Sequence, residues 1–297
     1  MPRADAGSAA SCIAGDPFAP ETLAATIRAL ASPELDGRVP GSAGDRTART
    51  LIAERFACLG LAPAGDDKAF TQAFTAEGVG TANVIGFIRG ADEVIGDEII
   101  LIGAHHDHLG DGHLGANDNA SGVAALLAIA QEMRQRAPRR TIAFATWGAE
   151  EQGMLGSRYF VAHPPDALPL GKIVQYINLD MVGSHSSKGF VAAMGTFAKQ
   201  PSRRLLATLE RRYPKLRVGL GGRASRSDHT PFCARGIPYV FFWTPDARCY
   251  HEVCDTPARI DLPRMADIAA LAGDLAWSLA QSEADLAASR ARLGCGQ

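Results

Sequence analysis

No stretch of this sequence stays apolar for the roughly 18 residues that a membrane-crossing helix requires, so no transmembrane segment is expected. Neither sign of charge dominates: 30 Lys and Arg stand against 32 Asp and Glu, a formal charge of −2. A nucleic-acid partner is therefore not expected, and no acidic tail points to a solvating segment. The first residues, Met1 to Cys12, lack the apolar core of a signal peptide. The chain then reads either as cytosolic or as a mature form whose signal was left out. Repeats, low-complexity segments and long linkers are also missing, which speaks against a repeat array or a chain cut into several domains. The six cysteines are too scattered to form a disulfide framework. Cys249 and Cys254, which bracket Tyr250-His251, read as a disulfide and so as a sign of an oxidising compartment, with two buried thiols as the alternative. Cys12, Cys58, Cys233 and Cys295 are scattered and read as unpaired or of unknown state.

What the chain does have is ordinary globular composition, 46% hydrophobic and 21% charged over 297 residues, enough for one large core or two modest ones. It also has one unusual concentration. Gly103-Ala-His-His-Asp-His-Leu-Gly110 runs on to Gly115-Ala-Asn-Asp-Asn-Ala-Ser-Gly122, and His105, His106, His108, His113, Asp107, Asp111 and Asp118 all fall within it. The apolar, β-branched run from Glu98 to Ala104 leads straight into this stretch and reads as a buried strand. After Asn119 the pattern turns helical, with Val123, Leu126, Leu127, Ala130 and Met133 in phase, out to Ala137.

Along the rest of the chain, residues 1–17 are small and polar and are expected to form a disordered segment or an arm. Helices are expected over Pro20–Leu35, Asp45–Leu59, Ser202–Tyr213 and from Pro263 to Leu286, with a further helix ending near Phe160. Strands are expected at Phe70–Ala76, Ala82–Ile88, Arg140–Trp147, Lys172–Met181, Phe190–Met194 and Pro238–Trp243. Pro214–Arg226 reads as a loop. Strands alternating with helices predict an α/β fold, a three-layer αβα arrangement with a mixed, mostly parallel central sheet. Residues 18–288 form its single domain.

Four of those strands end in acidic or imidazole groups: His105, Asp107 and Asp118 after the first, Glu150 and Glu151 after the next, then Asp180, then His251. Each alone has an ordinary explanation as a cap, a solvated loop charge or packing. Together, at the carboxyl ends of parallel strands, they meet on one rim. Several carboxylates on one rim repel and raise one another's pKa unless a cation joins them. Nitrogen and oxygen donors suit zinc or a similar divalent ion. Two ions about 3.5–4 Å apart, sharing one carboxylate, require two imidazoles and three carboxylates. His105, His251, Asp118, Glu151 and Asp180 make up that set and leave Glu150 free as a general base for a metal-activated water. Asp107 is placed to accept the second N–H of His105. The extra histidines, His106, His108 and His113, read as supporting or exposed groups and not as ligands.

The motifs Ala104–Gly110, Gly115–Gly122, Ala149–Ser157, Asn178-Leu-Asp180, Arg226-Ser-Asp-His229 and Cys249–Asp255 occur in the order found in the secreted dizinc aminopeptidases of bacteria. The chain resembles that family from about residue 30 to residue 275. The same fold group holds glutamate carboxypeptidase, transferrin receptor and glutaminyl cyclase. The resemblance implies two zinc ions, one on His105 and Asp180, the other on Glu151 and His251, with Asp118 between them and Glu150 as proton shuttle. It implies a role for Tyr250 at the developing oxyanion, a place for Arg226 near the substrate, and a Cys249–Cys254 disulfide. It also implies a monomeric, periplasmic or secreted aminopeptidase acting on peptides with a free N-terminus. A glutaminyl cyclase-like acyltransferase with one zinc, a carboxypeptidase and a metal-free binding module are the alternatives. The short step from Asn83 to His105 leaves no room for the protease-associated insert many relatives carry.

Overall fold

A computed structural model describes residues 15–224 and 226–293. The expected N-terminal arm lies outside the described residues over 1–14. The chain enters through helix α1 (Pro20–Leu30), whose buried stripe is Leu23, Ala24, Ile27 and Leu30. This helix stops earlier than expected because Pro33 cannot continue it: proline lacks the amide and holds Ser32 extended. A 3₁₀ segment, Pro33–Arg38, follows. Helix α2 (Ala43–Cys58) opens on Ser42, whose side chain accepts from the Asp45 amide.

Among the described residues nine strands then build one sheet: β1 (Ala62–Pro63), β2 (Thr71–Ala76), β3 (Val79–Ile88), β4 (Ile99–His105), β5 (Thr141–Trp147), β6 (Ile173–Leu179), β7 (Phe190–Met194), β8 (Arg217–Leu220) and β9 (Tyr239–Trp243). Their order is β1-β3-β5-β4-β6-β9-β7-β8, with β2 also paired to β3. The four central strands β5, β4, β6 and β9 are parallel, while β3 and β7 run against their neighbours β5 and β9. Strand β4 comes first among the parallel four and has β5 on one side and β6 on the other. The connections therefore diverge at its carboxyl end, where open α/β sheets form a crevice.

Burial follows the pleat. On β4, Ile100, Ile102 and Ala104 face a core shared with α1, α2, helix α3 (Gly122–Met133) and helix α7 (Leu262–Gln281). Ile99 and Leu101 face the opposite core, with Phe160 of α4 (Leu155–Ala162) and Phe232 of α6 (His229–Ala234). Every residue of β4, β5 and β6 is buried, so these strands carry apolar side chains on both faces, as the interior of a doubly covered sheet demands. Helix α5 (Pro201–Leu209) completes the covering beside β7 and β8.

Three expectations are corrected. Residues 217–220, read as loop, form β8, a half-buried edge strand parallel to β7 and too short for a periodic signal. The last helix ends at Gln281, where Ser282 turns extended, and a separate helix α8 (Leu286–Leu293) follows. Among the described residues no cysteine is free. Cys58 and Cys233, read as unpaired or of unknown state, are disulfide-bonded, whereas Cys12 and Cys295 lie outside the described residues. The Cys249–Cys254 disulfide is present, with the two Cα atoms 5.4 Å apart.

Candidate metal centre

The loop leaving β4 is fixed from behind by a buried cation. The Arg38 guanidinium donates to the backbone carbonyls of Leu30, His106, Leu114 and Gly115. Burial lowers its pKa to about 10, and Asp107, Asp255, Asp118 and Glu151 pull against that shift, so it stays charged near neutrality. From the far side of the loop, the two Asp255 oxygens accept the amides of Asn117 and Asp118 at 2.8 and 2.9 Å. Asp118 is thus held by its own main chain, and the Asp118–Asn119 peptide is cis.

Five side chains from four strand ends converge here. His105 Nε2 lies 3.1 Å from Asp118 Oδ1 and 3.3 Å from Asp180 Oδ1. His251 Nε2 lies 3.3 Å from Asp118 Oδ2 and 3.1 Å from Glu151 Oε2. Asp118 therefore turns one oxygen to each imidazole. Tetrahedral zinc with bonds near 2.0–2.1 Å has ligand–ligand edges of about 3.3 Å, so these four separations fit two ions sharing one carboxylate. Burial of His105, Asp118 and Asp180 in one group, with all donor atoms within 4.8 Å of one another, fits the same charge pattern.

Asp107 does not play the part expected of it. His105 Nδ1–H donates to the Asp107 backbone carbonyl at 3.2 Å, and the carboxylate stands 3.8 Å away. That bond assigns Nδ1 as a donor to the main chain, so Nε2 is the nitrogen turned to the carboxylates and the one available to an ion. The Asp107 carboxylate instead accepts the amides of Glu150 and Glu151 at 3.0 and 3.2 Å, so it shapes the turn that carries both glutamates.

The electrostatics show the crowding. Burial pushes the Glu150 carboxyl up to about 10; Asp228, Asp180 and Glu151 add to the effect, and His105 opposes it. Asp228 is pushed up to about 7, first by burial. Burial also works against the Asp118 carboxylate, but hydrogen bonds from His105 and His251 hold it well below the usual carboxylate range. Hydrogen bonds to Asp118 and Glu151 raise the His251 imidazole to about 10. Protons and carboxylates share a place that divalent cations would otherwise neutralise.

Beneath Asp180 runs a buried chain of hydrogen bonds. Trp147 Nε1 donates to Tyr176 Oη at 2.9 Å, Tyr176 to Asn178 Oδ1 at 2.7 Å, Asn178 to Ser227 Oγ at 2.7 Å, and Ser227 to Asp180 Oδ2 at 2.7 Å. The Asp180 carboxylate can only accept, so Ser227 donates to it and accepts from the Asn178 amide, whose oxygen then takes the Tyr176 O–H, while the indole N–H, which can only donate, closes the other end. Arg38, Asp255, Trp147, Tyr176 and Ser227 carried no functional reading in the sequence. They belong to different strands and loops, and no local spacing ties them together.

Outside the acidic cluster a cavity of about 410 Å³ opens, walled by Met181, Met194, Phe241 and Trp243. Tyr250, half-exposed, lines it and stacks on His251 with ring centres 3.9 Å apart. Burial and the surrounding carboxylates lift the Tyr250 phenol to about 12. Arg226, exposed, lines the same cavity. Of the extra histidines, His106 is buried 3.4 Å from Asp45, and His113 Nδ1 donates to the Gly110 carbonyl. His108, read as a supporting or an exposed group, is buried inside the cluster with Nδ1 2.8 Å from Glu151 Oε1.

Comparisons agree with this geometry. The chain is 30% identical to leupeptin-inactivating enzyme 1 of Streptomyces exfoliatus over 311 residues, covering 92% of this chain and 65% of that protein. An aminopeptidase from Aneurinibacillus sp. strain AM-1 superposes with a TM-score of 0.60 at 31% identity, over 68% of this chain and 49% of that one. A zinc aminopeptidase from Bacillus subtilis shares the fold with a TM-score of 0.75 at 17% identity, over 92% of this chain and 98% of that one. The chain spans 65% or less of the length of the curated relatives it matches. The family profile described as Peptidase family M28 matches residues 83–276, a range that holds every strand end of the cluster from His105 to His251. The chain belongs to peptidase family M28.

Proposed function

We propose that the chain is a dizinc aminopeptidase that removes N-terminal residues from peptides. The observation that carries this reading is Asp118, whose two oxygens face His105 on one side and His251 on the other. His105 and Asp180 would hold one ion and Glu151 and His251 the other, with Asp118 placed to serve both. The chemistry such ions would supply is a water whose pKa is lowered towards about 7 and a polarised scissile carbonyl. Glu150 is the general base: it takes a proton from the attacking water at its carboxylate and returns it to the leaving amine. The turn fixed by Asp107 aims Glu150 and Glu151 separately, so that one carboxylate binds while the other moves protons. Tyr250 stands at the cavity edge, where its phenol can donate to the oxyanion. Arg226 faces the distal part of the substrate, and the Met194–Phe241–Trp243 wall excludes water from the bound side chain.

Residues 18–288 act as one domain without a protease-associated insert, and the protein works as a monomer. The disulfide-bonded cysteines support a periplasmic or secreted location, since such bonds persist in oxidising compartments. No helix among the described residues is long and apolar enough to cross a membrane.

The test pairs metal analysis with a panel of aminoacyl chromogenic substrates, with and without chelator. Two zinc ions per chain and chelator-sensitive release of the N-terminal residue are expected. One ion and a cyclised glutaminyl product would instead mark an acyltransferase. Glu150→Gln is expected to keep both ions and to lower kcat by at least about 10²-fold, the contribution of a positioned base. Unchanged turnover would remove Glu150 from the mechanism.

A further inference from the structure

The mechanism so far leaves one buried imidazole unused. His108 Nδ1 lies 2.8 Å from Glu151 Oε1, while the other oxygen of the same carboxylate faces His251 Nε2 at 3.1 Å. The His108 side chain is fully buried, and among the described residues its Nε2 has no hydrogen-bond partner. Its ring and that of His251 stand edge to face, with centres 5.8 Å apart. Glu151 is therefore gripped by two imidazoles, one on each oxygen.

The separations divide the two by role. The four contacts of His105 and His251 with their carboxylates run from 3.1 to 3.3 Å, the edge length of a zinc tetrahedron. The His108 contact, at 2.8 Å, is shorter and matches an N–H···O hydrogen bond to a charged acceptor. We propose that His108 is a positioning residue: its Nδ1–H donates to Glu151 Oε1 and leaves Oε2 alone to bind the second ion. This role rests on the two-ion reading above.

The surroundings preset that donor. A Cβ at Gly115 would stand 2.5 Å from His108 Cγ and 2.7 Å from Cδ2, so the bare backbone of Gly115 lies flat against the ring. Gly115 itself adopts a left-handed φ of +61°, which glycine takes without penalty. Arg38 pins the Leu114 and Gly115 carbonyls, so the backbone behind the ring is tied to the buried guanidinium. Next to His108, Asp107 holds the amides of Glu150 and Glu151. Two consecutive residues of the β4 loop thus clamp the glutamate turn: the Asp107 carboxylate accepts the Glu150 and Glu151 main-chain amides, and His108 Nδ1 holds the Glu151 side-chain oxygen Oε1. A carboxylate gripped on one oxygen cannot swing to chelate through both, and it loses less freedom when an ion binds.

The experiment is a competition titration of zinc against a chromogenic chelator, which reads affinity without reference to activity. The step belonging to the second ion is identified as the one that His251→Ala abolishes. His108→Phe keeps the ring shape and removes the donor; His108→Ala removes both and serves if the larger side chain upsets folding, judged by circular dichroism of the chelated proteins. Both are expected to weaken the second-ion step about 10- to 100-fold and to leave the first within about 3-fold. His108→Asn, whose amide N–H can stand where Nδ1 stood, is expected to recover most of the loss. Unchanged second-ion affinity in Phe and Ala variants would overturn the role. So would an Asn variant as weak as Phe, because that result would make the imidazole a ligand. A wild type that takes up only one ion would overturn the two-ion reading itself, and this role with it; two ions with unaffected variants would sink this role alone.

Discussion

At the scale of single residues, the cluster is shaped as much by groups that carry no charge as by those that do. His229, the first residue of α6, is sandwiched against Tyr239 and Phe241 with ring centres 4.4 and 4.8 Å away. Its Nε2–H donates to the Ala224 carbonyl at 2.9 Å, and Nδ1 is buried without a partner among the described residues. Burial drops its pKa to about 4, with the bond to Ala224 opposing the shift. In the unfolded chain the same imidazole titrates near 6.5. Between those values the unfolded state binds a proton that the folded state refuses, so stability rises with pH across the interval. The contribution is complete above about 6.5 and is lost as pH falls towards 4, an effect of about 3 kcal/mol. His229→Phe keeps the stacking and removes the titration. Urea midpoints at about pH 5 and about pH 7.5 are expected to differ less in the variant than in the wild type. Equal differences in the two proteins would show that His229 already carries a proton in the fold.

At the scale of elements, the site depends on loops that the strands only aim. The Cys249–Cys254 disulfide closes the loop that holds His251, whose φ of +57° is one that a residue with a Cβ rarely adopts. Replacing both cysteines with serine frees that short loop, at a cost of about 2 kcal/mol in the chain-entropy account. His251 then loses its preset position, and the second-ion affinity is expected to fall while the first ion stays. Loss of both ions together, read by the same chelator competition, would place the disulfide's effect on the whole fold and not on this loop. The contrast explains what could be seen in the sequence. Strands β4, β5 and β6 were legible because each is an unbroken apolar run between breakers, and β7 because its limits fall on turn residues. Their carboxyl ends followed from parallel order, which is why His105, Glu151 and Asp180 could be grouped before any geometry. Edge strand β8 was hidden because half-exposed residues carry no run of their own. His108 and Asp255 were hidden for another reason: their partners, Glu151 and the Asn117–Asp118 amides, lie 43 and 137 or more positions away. The split between Asp107's carbonyl and its carboxylate is likewise set by loop conformation, which residue type alone does not determine.

At the scale of the whole molecule, the fold gathers charge that only a bound partner can balance, and the partner is either protons or cations. When a chelator removes the ions, protons must fill the role. Glu150, pushed up to about 10 by burial and its carboxylate neighbours, and His251, raised to about 10 by its bonds to Asp118 and Glu151, then hold protons that the unfolded chain would release. Each folded pKa lies above its unfolded value, so each contribution is full below that unfolded value and disappears as pH climbs towards 10. The chelated protein is therefore expected to lose stability steadily from about pH 6.5 to about pH 9. Zinc acts in the opposite sense, because it requires His251 and the ligand carboxylates deprotonated and its charge favours an ionised Glu150 beside it, so it binds more tightly as pH rises. At a hundredfold excess over its Kd each ion adds about 2.7 kcal/mol to the folded state. The gap between unfolding curves measured with zinc and with chelator should thus widen with pH over that interval, through a loss in the chelated protein that runs opposite to the His229 effect at lower pH. Chemical denaturation at about pH 6.5 and about pH 9, in both conditions, measures the gap directly. A gap that stays constant would mean that ions and protons do not compete for these side chains, and the cluster would then have to be stable as charged carboxylates with no cation among them, against the repulsion that gathers at its rim.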